Sequence, residues 1–425
     1  MFLRHFKKKG IAKKIPIPNS FGVIVFSLFW INIILSCTPD NSFDSYQSRK
    51  DNLIQLDLDN LEFLNEANLD QFFSIAKVVE LESLDSTFII NYDKVIISEE
   101  RIFLLDKNGS YSVHAFDQNG NFLYTISNYG EGPDEYREIR DVTVDFSNST
   151  LNILDFASKT IWVYDINYGQ LVKKLYLGRD HYYSSFESQN GFFVISHGNN
   201  CGLLSNCENL TIADNFLKND SSFLSIPKNL RGFDLKPNQT FSRHGNNIYY
   251  TELLNDTIYE VNPSEGLFSA RFAIDFGHYK IPNEFKYSNA NSSGTQLINY
   301  ALANQKSIGI NQCFVSDSIL YFNHGLPELK HIFYNLYSRE GFSFNEFKTS
   351  NLLLTGRILG TLKNDFITLI SDEALMAMKQ SFESKDSLIY RQSNPEAYRL
   401  VKDRNPGSSP VIVYIKVNFE KVDSK

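Results

Sequence analysis

Short apolar runs recur along this chain, and each run is closed by polar residues that favour turns. RIFLLD at residues 101–106 is followed by AFDQNG at 115–120, and LNILD at 151–155 is followed by YDINYG at 164–169. The second copy lies 49 residues after the first, and each copy ends in a fresh apolar run. Repeated units of strand, turn and strand, joined by Asp- or Asn-containing turns, are typical of β-propeller blades.

Later copies of this unit have diverged but keep the same order of strands and turns. Their first and last apolar runs lie at residues 191–196 and 223–226, 247–250 and 268–274, 318–322 and 330–336, and 365–370 and 411–417. The repeat therefore predicts an all-β fold, a six-bladed β-propeller of four-stranded antiparallel blades over residues 75–420. Five and seven blades are the alternatives, because the unit boundaries are soft.

Two stretches break the strand pattern. Residues 373–380 combine strong helix formers with a helical spacing of apolar residues, whereas residues 283–304 show no clear strand period. We interpret both as insertions, the first of them between strands of the last unit. Tyr182 and Tyr183, residues 283–304 and residues 373–406 predict aromatic, loop-rich excursions on one face of the propeller, where partners bind.

The N-terminus has the order of a secretory signal peptide. A basic stretch at residues 4–14 precedes an apolar run at 21–36, and Cys37 follows directly. The run is short for a membrane-spanning helix, which needs about 20 apolar residues. An uncleaved signal anchor is the alternative. ILSC at 34–37 resembles the lipobox of bacterial lipoproteins, which implies that Cys37 becomes the acylated N-terminal residue, with two acyl chains as a stable anchor.

These features divide the chain into four parts. We predict a signal peptide at residues 1–36, a flexible tether at 37–50, a lead-in segment at 51–74 and the propeller at 75–420. The only membrane contact is then the N-terminal lipid. Asp40 and Asp44 loosely resemble an acidic export signal of Gram-negative lipoproteins, so the predicted location is the cell envelope, as an outer membrane lipoprotein that is periplasmic or surface-exposed.

Composition and charge narrow the range of partners. The 425 residues are 42% hydrophobic and include 35 Phe and 23 Tyr, which favours strands. Without residues 1–36 the chain has 35 basic and 49 acidic residues. This acidic excess argues against a nucleic acid partner, which needs a basic surface, and against adhesion to anionic lipid headgroups.

The sequence contains no recognisable catalytic constellation. GxSxG, HExxH, Walker and GxGxxG motifs are absent, and the eight histidines share no ligand spacing. We therefore predict no catalytic residue, no metal ligand and no cofactor, and the ligand-binding residues remain unassigned. An exported compartment permits disulfides, for which the short loop favours Cys201 with Cys207. Three free thiols, with Cys313 as the third, are the alternative.

One motif carries a family resemblance. YGEGPDEY at residues 129–136, followed by IRDVTVD at 139–145, is similar to the signature of bacterial 6-bladed β-propeller lipoproteins, relatives of the NHL-repeat propellers. NDTIYEV at 255–261 also resembles that family. We expect Gly130 and Gly132 to allow a tight connection between blades, with Glu135 and Tyr136 bonding to or packing on the neighbouring blade.

The resemblance implies a fold and a location more than an activity, because the family consists largely of proteins without an assigned activity. The function we predict is an exported, lipid-anchored, non-enzymatic binding or scaffold protein that presents a propeller face to a carbohydrate, peptide or protein partner. The alternative is a calcium-assisted hydrolase or lactonase-like enzyme with Ca²⁺ in the central channel. Asp141, Asp155 and Asp165 are its candidate carboxylates, although each occupies a turn position where Asp normally caps a strand.

Overall fold

A computed structural model describes residues 53–83, 92–178, 182–201, 207–218, 220–287, 293–325, 328–354, 357–384 and 387–419. The predicted signal peptide, Cys37 and the tether lie outside these residues. Within them, the strands form six separate sheets, each with four antiparallel strands, and the innermost strands contact one another in a closed ring. The predicted six-bladed β-propeller is confirmed.

The strands are numbered here in chain order. The N-terminal strands are β1 (Ile54–Asp57), β2 (Glu62–Phe63) and β3 (Phe73–Glu80). Blades one to three contain β4 (Lys94–Ile97), β5 (Arg101–Asp106), β6 (Ser112–Asp117), β7 (Phe122–Ile126), β8 (Ile139–Asp145), β9 (Thr150–Asp155), β10 (Thr160–Asp165), β11 (Leu171–Tyr176), β12 (Ser185–Gln189), β13 (Phe192–Ser196), β14 (Glu208–Asp214) and β15 (Asp220–Ser225). Blades four to six contain β16 (Phe241–His244), β17 (Asn247–Tyr250), β18 (Thr257–Asn262), β19 (Leu267–Asp275), β20 (Ile310–Val315), β21 (Ile319–His324), β22 (Lys330–Asn335), β23 (Gly341–Phe344), β24 (Ile358–Leu362), β25 (Asp365–Ile370) and β26 (Val411–Val417).

Aspartates at strand ends explain the sequence repeat. The carboxylate of Asp106, at the end of β5, accepts a hydrogen bond from the Gly109 amide at 2.7 Å. Asp155, at the end of β9, accepts from the Ala157 amide at 3.0 Å. A carboxylate that accepts from the amides of the following turn satisfies groups that the sheet leaves unpaired. The recurring Asp therefore marks the same turn in successive blades.

The ring is closed by a strand from the N-terminus. β3 pairs antiparallel with β26, with Val79 opposite Ile412, and supplies the outer strand of blade six. Both side chains are buried in one apolar cluster that extends into blade one. Blade six is thus built from both ends of the chain, which fixes the first and last blades to each other.

Two further short strands precede β3. β1 pairs in parallel with β19 of blade four, and β2 pairs in parallel with β23 of blade five, so these two sheets have five strands. Residues 54–63, which we call the strap, therefore run along the outer edges of blades four and five. The chain then continues into β3, which completes blade six. The strap covers edge strands whose backbone groups would otherwise be open to other chains.

The connection between blades one and two contains the family-like motif. Tyr136 is fully buried, and its hydroxyl donates to the backbone oxygens of Tyr111 at 2.7 Å and Ile126 at 3.2 Å. The expected role of Gly130 differs in detail. Its φ is not in the left-handed region, but a Cβ there would lie 2.0 Å from the Glu135 carboxylate. Gly130 therefore makes room for Glu135, which accepts from the Gly132 amide at 2.7 Å.

Both predicted insertions contain helices. Between blades four and five lie α1 (Asn283–Tyr287) and α2 (Gly294–Ala303), and between β25 and β26 lie α3 (Asp372–Glu383), α4 (Ser387–Ser393) and α5 (Pro395–Val401). Both insertions leave the blades at the end where the innermost strands begin, which we call the upper face. None of the described helices is long and apolar enough to span a bilayer.

Candidate functional site

The first residues of the innermost strands bring opposite charges together at the upper end of the central channel. Three ion pairs lie here: Lys94 with Asp141 at 2.9 Å, Arg140 with Asp234 at 2.9 Å, and Lys107 with Asp93 at 3.7 Å. We call these six residues, together with Lys236, the mouth cluster. Its members come from blades one and two and from the segment that leads into blade four, so the ring of blades assembles it.

Lys94 and Asp141 form the most enclosed of these pairs. Their side chains are 12% and 13% exposed, and the Lys94 ammonium also donates to the Val142 oxygen at 2.7 Å. Asp141 in turn accepts from the Phe186 amide of blade three at 3.1 Å. The pair therefore connects three consecutive blades and has a structural role at the mouth.

Aromatic rings surround the second pair. The Arg140 guanidinium donates to the Tyr182 hydroxyl at 2.8 Å and lies 5.2 Å from the centre of the Phe156 ring. The Lys159 ammonium lies 3.7 Å from the same ring centre. Burial is the main cause that lowers the pKa of Lys159 and raises the pKa of Tyr182, to about 12 for the tyrosine. Arg140 and Lys159 therefore stack on an aromatic ring beside the mouth, and the surface there combines positive charge with apolar area.

Lys236 is the unbalanced member of the mouth cluster. It is half-buried, and no carboxylate lies within ion-pair distance of its ammonium among the residues that the structure describes. Burial is the main cause that lowers its pKa; the positive charges of Arg140 and Lys107 act in the same direction, and the carboxylates of Asp141 and Asp234 act against them. A cation held in this way is stabilised by an anion from outside the chain.

Below the mouth, a second charged layer crosses the channel. Arg243 of blade four donates to the backbone oxygens of Val144 at 2.7 Å and Ser188 at 3.2 Å, in blades two and three. Its guanidinium lies 3.8 Å from the Glu187 carboxylate, which also accepts from the Thr143 hydroxyl. Arg243 therefore connects the three neighbouring blades two, three and four.

The carboxylates proposed from sequence for calcium do not come together. Asp141 is paired with Lys94, and Asp155 accepts from the amides of its own turn. Asp165 accepts from the Asn167 amide at 2.8 Å in a turn at the opposite end of blade two. Among the described residues, no group of three or more His, Cys, Asp or Glu side chains is arranged to hold a metal ion.

Three of the six described histidines, His114, His197 and His331, have partners within their own blade. His114 contacts the Ser112 and Thr125 hydroxyls, both at 2.9 Å, and His331 contacts the Tyr321 hydroxyl at 2.9 Å. His324 differs: it is fully buried, and apart from a loose contact with the backbone of Gly325 its ring nitrogens have no hydrogen-bond partner within the described part of the chain. His181 lies outside the described residues.

The structure shows which of the described cysteines form a disulfide. Cys201 and Cys207 form a disulfide, with Cα atoms 4.9 Å apart, at the upper end of blade three. Cys313 is a buried free thiol in β20. Of the alternatives left open by the sequence, the structure has the bridged one.

Sequence reasoning missed Arg140, Asp234 and Lys236 as a group. Arg140 lies in blade two, whereas Asp234 and Lys236 lie in the segment that leads into blade four, so no spacing along the chain relates Arg140 to the other two. The available signal was positional: each precedes or begins an innermost strand, and in a propeller such positions meet at the channel. Tyr182, which the sequence did single out, does contact this group.

Comparisons with known proteins identify similar structures and the family of this chain. A structure named "Putative exported protein" from Bacteroides fragilis is 14% identical, with a TM-score of 0.68 over 86% of this chain and 99% of that chain. A member of the duf4221 family from Bacteroides vulgatus is 10% identical, with a TM-score of 0.46 over 82% and 99%. No curated protein sequence matches the chain. The family model for the domain of unknown function DUF4934 matches residues 53–416. The chain therefore belongs to the DUF4934 family.

Proposed function

We propose that this chain is an exported, lipid-anchored and non-enzymatic binding protein of the cell envelope, which holds an anionic partner at its upper face. The partner is a carbohydrate, peptide or protein segment that carries negative charge. The half-buried and unpaired cation Lys236 at the channel mouth is the observation that carries this proposal.

Two features support export. The basic and apolar segments at residues 4–36, followed by Cys37, have the order of a lipoprotein signal. The Cys201–Cys207 disulfide independently fits an oxidising compartment, because cytosolic thiols are kept reduced. The similarity of fold to the Bacteroides fragilis protein named as exported is consistent with this location. An outer membrane position, anchored through Cys37, is part of the same proposal.

The upper face has the surface that a partner of this kind needs. Tyr111 and Tyr129 stack on each other at 4.4 Å between ring centres, and they are 37% and 48% exposed. The Phe156 and Tyr182 rings lie beside the mouth, together with Arg140. Exposed aromatic rings stack on sugars and anchor protein interfaces, while the cations select for negative charge. The same surface therefore supplies both contact area and charge selection.

Replacing Lys236 tests the anionic partner. We expect Lys236→Met to lower the affinity for the envelope partner about tenfold, because a desolvated charge-assisted contact contributes about 1.4 kcal/mol or more. The measurement is quantitative capture of envelope components on the immobilised mature protein at low and high salt. Capture by the wild-type protein should also weaken as salt rises, because salt screens charges at a mouth open to solvent.

Lys218→Met is the matched control, since Lys218 is exposed in a turn at the opposite end of blade three. It should capture as much as the wild-type protein. If Lys236→Met and Lys218→Met behaved alike, and capture did not depend on salt, the mouth would not be the binding surface.

The lipid anchor has its own test. We expect Cys37→Ala to block acylation and signal cleavage, because the thiol is the group that receives the lipid. Mass spectrometry and metabolic labelling with palmitate should then find no mature, acylated protein in the detergent extract of the membranes. Cys313→Ala is the control and should remain acylated. Normal acylation of the Cys37→Ala protein would contradict the anchor without bearing on the mouth.

A further inference from the structure

A cavity lies on the outer rim, between blades four and five and beneath the strap. It has a volume of about 200 Å³. Its lining combines apolar residues with four that carry chemistry, namely Asp59, His278, His324 and Lys330. At roughly 30 Å³ per water molecule this space equals six or seven waters, which is the size of one small ring compound. The cavity shares no residue with the mouth cluster.

The base of the cavity contains an unsatisfied polar group. His324 is fully buried, and apart from a loose contact with the backbone of Gly325 its ring nitrogens have no hydrogen-bond partner in the described chain. Phe276 and Tyr279 pack beside it, at 5.3 and 5.8 Å between ring centres. Desolvation and the charge of Lys330 lower the pKa of His324 to about 4. The neutral ring offers one donor and one acceptor, and the Gly325 backbone can engage only one of them, so at least one is left unused, which is costly in a buried site.

The rim contains an unpaired cation between two aromatic rings. The Lys330 ammonium lies 4.6 Å from the centre of the Tyr279 ring and 5.4 Å from that of Phe63. No carboxylate of the described residues lies within ion-pair distance of it. Phe63 is 50% exposed, so one ring of this pair is open to solvent. An exposed ring beside an unpaired ammonium fits a ligand that has both a flat body and a negative charge.

The strap completes the cavity and is held there by polar contacts. Asp59 lies 2.8 Å from the Nδ1 atom of His278, and its carboxylate packs over Gly277, where φ is +51°. A Cβ at Gly277 would lie 2.0 Å from that carboxylate. Glycine at this position therefore allows the strap to approach blade four. Because Asp59 already has a partner, it does not neutralise Lys330.

From these contacts we propose that the cavity binds a small carboxylate carried on a ring. The carboxylate pairs with Lys330, the ring stacks on Phe63 or Tyr279, and a polar substituent bonds to His324. Two sources share this chemistry, a hexuronic acid and an aromatic acid. The cavity is separate from the mouth cluster, so this inference does not depend on the proposed function.

Isothermal titration of the purified mature protein with defined probes tests the inference. The probes are D-glucuronate, benzoate and, as the uncharged ring, D-glucose. We expect glucuronate or benzoate to bind and glucose not to bind. Binding of glucuronate alone identifies a sugar acid, and binding of benzoate alone identifies an aromatic acid. Failure of both carboxylates, or equal binding of glucose, would overturn the inference.

Variants locate the binding to this cavity. Lys330→Met keeps the apolar stem between the two rings and removes the charge, and it should weaken carboxylate binding about tenfold or more. Lys348→Met removes an exposed lysine that pairs with Glu346 outside the cavity, and its affinity should equal that of the wild-type protein. Phe63→Leu, at a half-exposed position that does not threaten folding, should weaken binding as well. Unchanged affinity in both Lys330→Met and Phe63→Leu would show that the carboxylate binds elsewhere.

Discussion

Phe73→Ala should lower the free energy of unfolding by about 3–5 kcal/mol, one of the two largest losses that we expect from a single substitution. Phe73 begins β3, is 3% exposed and packs against blade five, with ring centres 5.3 Å from Phe333 and 5.8 Å from Phe344. Truncation leaves a cavity at the junction where the N-terminal strand joins the last blade. Chemical denaturation followed by tryptophan fluorescence measures the loss.

Phe216→Ala is the matched control for this prediction. Phe216 is 62% exposed in a turn of blade three, so the same truncation should change the free energy of unfolding by less than about 0.5 kcal/mol. Equal midpoints for the Phe73→Ala and Phe216→Ala proteins would show that ring closure through β3 contributes little to stability.

Tyr136→Ala should cost about 3–5 kcal/mol, because it removes a fully buried ring from the core between blades one and two. Tyr136→Phe should cost about 1–2 kcal/mol, since it keeps the ring but leaves the backbone oxygens of Tyr111 and Ile126 without their shared donor. Burial raises the pKa of Tyr136, so the hydroxyl keeps its proton at neutral pH. The two losses are read from the same unfolding curves.

Tyr168 provides the control pair for Tyr136. It is 73% exposed in a turn of blade two, so Tyr168→Ala and Tyr168→Phe should both be nearly neutral. If Tyr136→Phe were as stable as the wild-type protein, the hydroxyl contacts would have no net value. In that case the final tyrosine of the YGEGPDEY motif would act through its ring alone.

Local patterns predicted the blades because apolar runs closed by polar turns recur along the chain, most clearly in blades one and two. Asp106 and Asp155 end equivalent strands and cap equivalent turns, so their recurrence carries the architecture. The closing strand could not be assigned in this way. β3 has an apolar pattern like any other strand, and nothing local shows that its partner is β26. Pairing between distant segments depends on how the ring closes, which no short window of sequence contains.

Sequence analysis predicted less about the binding surfaces than about the fold. Lys236 lies in an irregular segment, and its position among the charges of Arg140, Lys107, Asp141 and Asp234, without an ion-pair partner of its own among the described residues, is apparent only in the assembled ring. His324 looked like one of several scattered histidines, and only its burial without partners separates it from His114 or His331. Burial and charge balance are properties of the assembled ring, so the sequence could indicate the upper face but not these residues.

The pairing of β3 with β26 also sets when the native state first becomes available during synthesis. Val79 pairs with Ile412, 333 positions later, so the outer edge of blade six stays unmatched until almost the whole chain has been translated. At about 5–20 residues per second, a ribosome needs roughly 20–85 s to make 425 residues. Throughout that time the ring stays open. A chain that can close its ring only after its last strand has been synthesised does not reach its native fold before then. Such a chain can still pass unfolded through a membrane channel, which suits transport before folding.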